Sequence, residues 1–399
     1  MSILRDWADS GVVTLTGHPD AVPVLPPGDA ATRMRMITDE LAAATPVRVD
    51  GAQVLAERAA IRGSRRAGRV SVGGSCRLLP TADGWAAVSC ARPDDVALLG
   101  ALIGSAVDDD PWDAVAEWLA QHPGAHLDER AGLLGLPAHS VATASAAAEP
   151  PATGLRSAAG MLVVDFSALW AGPLCAHLLG LAGARVVKVE VPGRPDGARR
   201  GDTTFYDLLH GGHESVVLDP STSAGRGALA RLVAAADVVI EGSRPRALRG
   251  FGLDAQAEAD RGCTWISITA AGRDSDRLGF GDDIAAANGL VGLDADGLPV
   301  FCGDAIADPL TGVVAARLAL ADLPGALWDV SMAGVVASTL QAPGDASAQV
   351  VQTGAGLVIE HEGGVEPVAA PTPRRPVASA HAMGADTEAT LRDLGIARP

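Results

Sequence analysis

Five short runs decide the fold: MLVVDFS at residues 161–167, ARVVKVE at 184–190, SVVLD at 215–219, ADVVIEG at 236–242 and CTWISITA at 263–270. Each is too apolar to have a wet face, and helical stretches separate them, the signature of a parallel sheet covered on both sides. The expected fold class is α/β: a doubly wound, Rossmann-like parallel sheet domain with a second, smaller α+β domain. Working outward, ATASAAAEPPATGLRSAA at 142–159 combines small residues with Pro150-Pro151 and reads as a linker. Upstream of it, RVSVGGSCRLLPTADGWAAVS at 69–89 alternates like two strands around Asp83-Gly84, a hairpin signal. Residues 94–119 then show helical spacing, with Asp94 and Asp110 as N-caps. ADSGVVTL at 8–15, followed by PVLPPGDA, echoes AANGLVGL at 286–293 followed by PVFCGDA, a weak internal repeat about one supersecondary unit long. The expected organisation is a degenerate N-terminal fragment (1–45), a small α+β domain (46–141), a linker (142–159), a Rossmann-like catalytic domain (160–345) and a C-terminal segment completing the fold (346–399).

Length and composition agree with this. The chain has 399 residues, 48% of them hydrophobic but only 3% aromatic, with 47 glycines. Its core is therefore built from Ala, Val and Leu with close backbone approaches. Lys plus Arg number 31 against 48 acids, a net charge of −17 that repels nucleic acid and anionic lipid; neither is expected as a partner. Five scattered cysteines, with no CxxC pair, argue against a disulfide scaffold or a zinc site. The start, MSILRDWADSG, does not read as a signal peptide, and no run of eighteen apolar residues occurs, so a reduced, cytoplasmic location is expected.

Several segments could carry chemistry. The loop after the first run, SALWAGPLCAH at 167–177, contains Gly172 but no GxGxxG, which argues against a dinucleotide site although Glu190 ends the second run. Two basic loops, GRPDGARR at 193–200 and SRPRALRG at 243–250, follow strands in this acidic chain. Guanidinium groups so placed suit a phosphorylated ligand, and equally suit a solvated surface. In IADPLTGVVAARLAL at 306–320, Asp308 followed by Pro309 reads as N-cap plus first helical position, where the helix dipole would keep a carboxylate ionised and nucleophilic. Adjacent Asp282 and Asp283 read as surface acids, and His210 and His213 of the HGGH loop as solvated histidines. Cys175 reads as core filler.

Taken in order, VVDFSALWAGPLCAHLLGLAGARVVKVEVPG at 163–193, the segment 214–254, WISITAAGR, GFGDDIAAANGLVG, ADPLTGVVAA and WDVSM resemble the family III CoA-transferases, the group of formyl-CoA and carnitine CoA-transferases and α-methylacyl-CoA racemases. GADTEATLRDLGI at 384–396 is similar to the family's terminal segment. The resemblance implies that Asp308 is the catalytic aspartate, attacking an acyl-CoA thioester to form a mixed anhydride and then an aspartyl-CoA thioester before a carboxylate acceptor takes the CoA. It implies a CoA-facing set of Trp170, Ala171, Gly172, Pro173, Lys188, Arg199, Arg200, Arg244, Arg246 and Arg249. Coenzyme A and acyl-CoA would be substrates, with no permanently bound cofactor and no metal, and the chain would form an interlinked homodimer.

Departures from the family pattern bear on this. Gly242-Ser243 replaces the usual Asn-Phe, Asp282 stands where racemases carry a histidine, and LADLPGALWDVSM is shorter than usual. Loss of that histidine counts against racemisation, which needs two opposed acid/base groups. A racemase or epimerase, and a CoA-binding protein without turnover or a half-enzyme needing a partner chain, are the alternative readings. Small-domain sequence begins near Asp83, ahead of the doubly wound half instead of after it, so the chain reads as fused or permuted. In the N-terminal copy the position matching Asp308 falls near Arg33, which would leave that copy inert.

Overall fold

The computed structural model describes residues 2–142, 153–242, 245–342 and 347–398, without the side chains of Pro245 and Arg246. The apolar runs form β1 (Leu162–Asp165), β2 (Arg185–Glu190), β3 (Glu214–Val217), β4 (Val238–Glu241) and β5 (Thr264–Thr269), joined by β6 (Leu327–Ser331). All six are parallel, in the spatial order β6-β5-β4-β1-β2-β3. This is a doubly wound α/β sheet whose winding reverses between β1 and β4, which opens a crevice beyond their carboxyl ends. The lack of a wet face in the sequence has a direct cause. Val163, Ile240 and Ile266 face one core, while Val164, Val239 and Trp265 face the other.

Two helices frame the crevice. Ala171–Leu181 follows β1, and Ala307–Ala319 crosses it so closely that a Cβ on Gly312 would lie 2.6 Å from the Ala171 carbonyl oxygen. In Ala307–Ala319 every residue is buried except Asp308 and Arg317, which explains why the segment is apolar all round.

The small unit is a three-stranded antiparallel sheet, Cys76–Pro80, Trp85–Ser89 and Ala138–Ser140, covered by the helices Asp95–Ile103, Trp112–Ala120 and Gly124–Leu134. The hairpin turns at Asp83-Gly84 as expected, closing on the pair Pro80 and Trp85. The first cap differs in detail: Asp94 makes no side-chain cap bond, and the buried Asp95 carboxylate accepts instead from the Ala91 and Arg92 N–H groups.

The N-terminal stretch differs from the fragment expected to end at residue 45. Trp7, Met34, Leu41 and Ala59 share one continuous core with Leu174, Leu310 and Val313. The two repeat copies share their glycine conformations and the helix that follows, though Val13–Leu15 is a 3-10 turn where Val291–Leu293 is a strand. Gly11 and Gly289 have φ of 78° and 89°, Gly28 and Gly303 have 73° and 66°, and a long helix follows in each copy. The copies also pack on each other, since a Cβ on Gly292 would meet Val24 Cγ1 at 3.0 Å and Thr16 Cγ2 at 3.2 Å. Of the expected linker, residues 143–152 lie outside the described residues.

At the other end, Gln349–Thr353, Gly356–His361 and Gly364–Pro367 form an antiparallel meander. The last helix, Thr387–Asp393, closes the outer edge of β3: Asp386 accepts from Ser215 N at 2.8 Å and Thr387 Oγ1 from Val217 N at 3.0 Å.

Candidate active site

The loop after β1 is built by close approach. A Cβ on Gly172 would fall 2.1 Å from both Cβ and Oγ of Ser167, so only glycine fits. Ser167 is itself held by the Asp165 carboxylate, which accepts from its N–H at 2.8 Å and from its hydroxyl. Leu169, at φ 71°, takes a left-handed conformation that is costly for a leucine, with its N–H donated to Asp196 Oδ1 at 3.0 Å. The other non-glycine residue with positive φ among the described residues is Ala305, at 45°, three positions before Asp308. Both strained turns flank the same cleft.

That cleft opens at the carboxyl ends of β1, β4 and β5. Ala168, Leu169, Ala171 and Gly172 form one wall, Gly242, Thr269 and Ala270 another, and the 275–280 stretch closes it. Asp308 is the one carboxylate and Arg277 the one cation among its described lining residues.

Asp308 sits inside the first turn, since the helix begins at Ala307 with Ile306 in the cap position, and it does not cap the helix as the sequence suggested. Its carboxylate accepts instead from the Gly281 N–H, and a Cβ on Gly281 would lie 2.3 Å from Asp308 Oδ2. The expectation that it stays ionised is also corrected. Burial, with Asp283 and Asp304 nearby, pushes it up to about 7 against the pull of Arg58. Asp282 is likewise pushed up to about 7, by burial and by Asp304.

Asp282 and Asp283 are buried, not surface acids. They point apart: Asp282 accepts from Ala305 N at 2.8 Å, while Asp283 accepts from Phe280 N at 3.0 Å and from the Ser89 hydroxyl at 2.7 Å. His139 of the small unit stands 3.3 Å from Asp283 and donates toward the Leu278 carbonyl at 2.8 Å.

The residues expected to face CoA divide. Ala171 and Gly172 line the cleft, whereas Pro173 is buried within the helix. The Trp170 ring is also buried, edge-on to Phe205 at 5.3 Å. Lys188 does not line the cleft. It is buried, with Asp196 Oδ2 at 3.0 Å, Asp165 Oδ2 at 3.6 Å and the Ser167 carbonyl bonded to its ammonium. Burial pulls its pKa down, yet Asp165 and Asp196 together hold it above the ordinary lysine range. It is an internal brace of the loop. Arg199 is committed to Glu190, at 2.6 Å, and lies over the Tyr206 ring. Arg200 and Arg249 are exposed, Arg244 lies outside the described residues, and so does the Arg246 side chain. His210 and His213, read as solvated, are buried. Burial and Lys188 push His213 down to about 3.

Sequence reasoning missed three cations. Arg277 lines the cleft and reaches His139 Nδ1 at 2.8 Å and Asp128 at 3.2 Å. Arg273 binds the buried Glu241 at the end of β4. Arg58, far upstream, lies 4.6 Å over the Trp170 ring and grips Asp304 through both Nε, at 2.8 Å, and Nη2. The first two were detectable as RDSDR between β5 and the GDD helix; Arg58 carries no local signal.

Comparison with known proteins adds independent findings. A family model described as CoA-transferase family III matches residues 158–372, more than half of the chain. The succinyl-CoA--D-citramalate CoA-transferase of Chloroflexus aurantiacus is 32% identical over 175 residues, covering 40% of this chain and 44% of that protein. The succinate--glutarate CoA-transferase of Agrobacterium fabrum is 30% identical over 185 residues, 41% of this chain and 45% of that protein. The chain thus matches less than half the length of these curated relatives. Among solved structures, a CAIB/BAIF family protein from Brucella suis is 25% identical, with 51% of this chain and 66% of that one covered and a TM-score of 0.46.

Proposed function

The chain belongs to CoA-transferase family III, and from that premise we propose that it moves CoA from an acyl-CoA donor to a carboxylate acceptor, with Asp308 as the nucleophile. The observation that carries this reading is the position of Asp308, the one carboxylate among the described lining residues of a cleft at the switch point of the sheet. In the proposed course, ionised Asp308 attacks the thioester carbonyl and the CoA thiolate leaves, giving an acyl-aspartyl anhydride. The thiolate then attacks the aspartyl carbonyl, releasing the donor carboxylate and leaving an aspartyl-CoA thioester. The acceptor carboxylate displaces the thiolate from that carbonyl, and the thiolate attacks the acceptor's acyl carbon, forming the new acyl-CoA and restoring Asp308.

The first N–H groups of Ala171–Leu181 have no intrahelical partner and are the donors available to an oxyanion formed beside Ala171-Gly172. Arg277 supplies the cationic wall, which suits an acceptor with a second carboxylate; the names of both curated relatives contain dicarboxylates. The family resemblance supports a homodimer working in the cytoplasm, and no helix of the described residues is long and apolar enough to cross a membrane. Light scattering tests the dimer. The mechanism is tested by mass spectrometry after incubation with a panel of acyl-CoAs. An adduct on Asp308 is expected, and Asp308→Asn should lose both the adduct and at least about 10³-fold in CoA exchange. Full exchange in a folded Asn variant rejects the nucleophile.

A further inference from the structure

The N-terminal repeat copy is not a carrier of its own site. Arg33 stands in its helix where Asp308 stands in the other, and Arg33 Nε pairs with Asp29 Oδ1 at 2.8 Å. The stretch that follows this copy nevertheless reaches the turns beside the second copy's cleft. Arg58, in the helix Glu57–Arg62, holds Asp304 with two nitrogens and covers the Trp170 ring at 4.6 Å. Asp304 belongs to the strained turn that leads into the Asp308 helix, and Trp170 stands at the start of the helix that forms the facing wall. One guanidinium therefore spans the two turns that set the width of the cleft. It also interacts with a crowd of carboxylates: Asp282 from the helix Gly281–Ala287, and Asp304 and Asp308 from the turn and helix they belong to, with Asp283 acting in turn on Asp282 and Asp308. Glu57 and Arg62 share the helix of Arg58, with Glu57 held by Arg374, and Arg317 shares the helix of Asp308; from neighbouring elements His139 faces Asp283 and Arg277 lines the cleft wall.

We propose that the stretch following the N-terminal copy serves the second copy's site by lending it Arg58, a positioning residue that locks the Asp304 and Trp170 turns together and supplies the counter-charge to the acidic group around Asp308. The residue lies outside the stretch that matches the family model. The proposal rests on the reading of Asp308 as nucleophile only for its effect on rate; its electrostatic half stands apart from any activity.

The test is a carbon-detected NMR titration of aspartate carboxyls in the full chain, with Asp308→Asn to assign the resonance, alongside the pH profile of CoA exchange. In Arg58→Gln the Asp308 titration moves up by about one pH unit and the activity profile moves with it. In Arg58→Lys the charge is kept and the two-nitrogen grip is lost, so the titration stays near wild type while kcat falls about tenfold. An Asp308 titration unmoved in folded Arg58→Gln overturns the electrostatic half, and a wild-type kcat in Arg58→Lys overturns the positioning half. Should Asp308 prove not to be the nucleophile, full exchange in Asp308→Asn reports that separately, and the NMR shift still reads Arg58.

Discussion

Asp308 shows how one side chain sets function against stability. Pushed up to about 7, it is ionised in only part of the protein near neutrality, which bears directly on its proposed role as nucleophile. The rate of CoA exchange under kcat/KM conditions should therefore rise with pH through about 7 and then level off, in a titration shared with Asp282. The stability consequence has the opposite sign. Between the ordinary aspartate value near 3.8 and about 7 the folded state holds a proton that the unfolded chain has released, so stability falls as pH rises across that window. Above about 7 the burden is complete. Asp308→Asn, inactive, should melt higher than wild type at pH 8, with the gain shrinking toward zero near pH 4; scanning calorimetry at the two pH values checks it. Lys188 behaves differently because its partners are buried with it. Lys188→Met leaves Asp165 and Asp196 without a counter-charge and should cost roughly 3–5 kcal/mol in urea unfolding.

At the scale of elements, the site depends on two glycines that permit contact between backbones and side chains. Gly172→Ala places a methyl 2.1 Å from Ser167, in a turn already braced by Asp165 and Lys188. The loop must move, and we expect a loss of roughly 1–3 kcal/mol in stability together with a raised KM for acyl-CoA, measured by unfolding and steady-state kinetics on the same sample. Gly312 does the same for the crossing of the Asp308 helix over Ala171–Leu181. Five of the six strands were readable from residues 161–270 because a strand buried on both faces is apolar along most of its length, even where Lys188 or a terminal Asp165 or Glu241 interrupts it. The role proposed for Asp308 came only through the resemblance, since Asp-Pro at a helix start is ordinary by itself. Lys188 and Arg199 were misread for one physical reason. A cation in a parallel strand or in the loop after it can turn outward to a ligand or inward to a carboxylate, and the sequence does not show Asp196 and Glu190 waiting for these two.

Across the whole molecule, the two ends of the chain meet behind the site. Arg374 of the C-terminal stretch grips the buried Glu57 through both carboxylate oxygens, at 2.7 and 2.8 Å, next to Arg58 in sequence. Arg374→Ala strands that carboxylate and should cost about 3 kcal/mol, read by urea unfolding, while leaving the Asp308 carboxylate in place. The small unit is tied in as well, through Ser89 and His139 on the buried Asp283 and, nearer the surface, Asp128 on Arg277. The sequence by itself determined the parallel sheet, the hairpin at Asp83-Gly84 and the helices around it, because these follow from apolar periodicity and turn chemistry over a few neighbouring residues. Only the tertiary structure decided which charges face the cleft and which hold the interior together. Burial and pairing depend on partners as far apart as Arg58 and Asp304, and the electrostatics of Asp308 is a sum over such distant neighbours, not a property of its own stretch of chain.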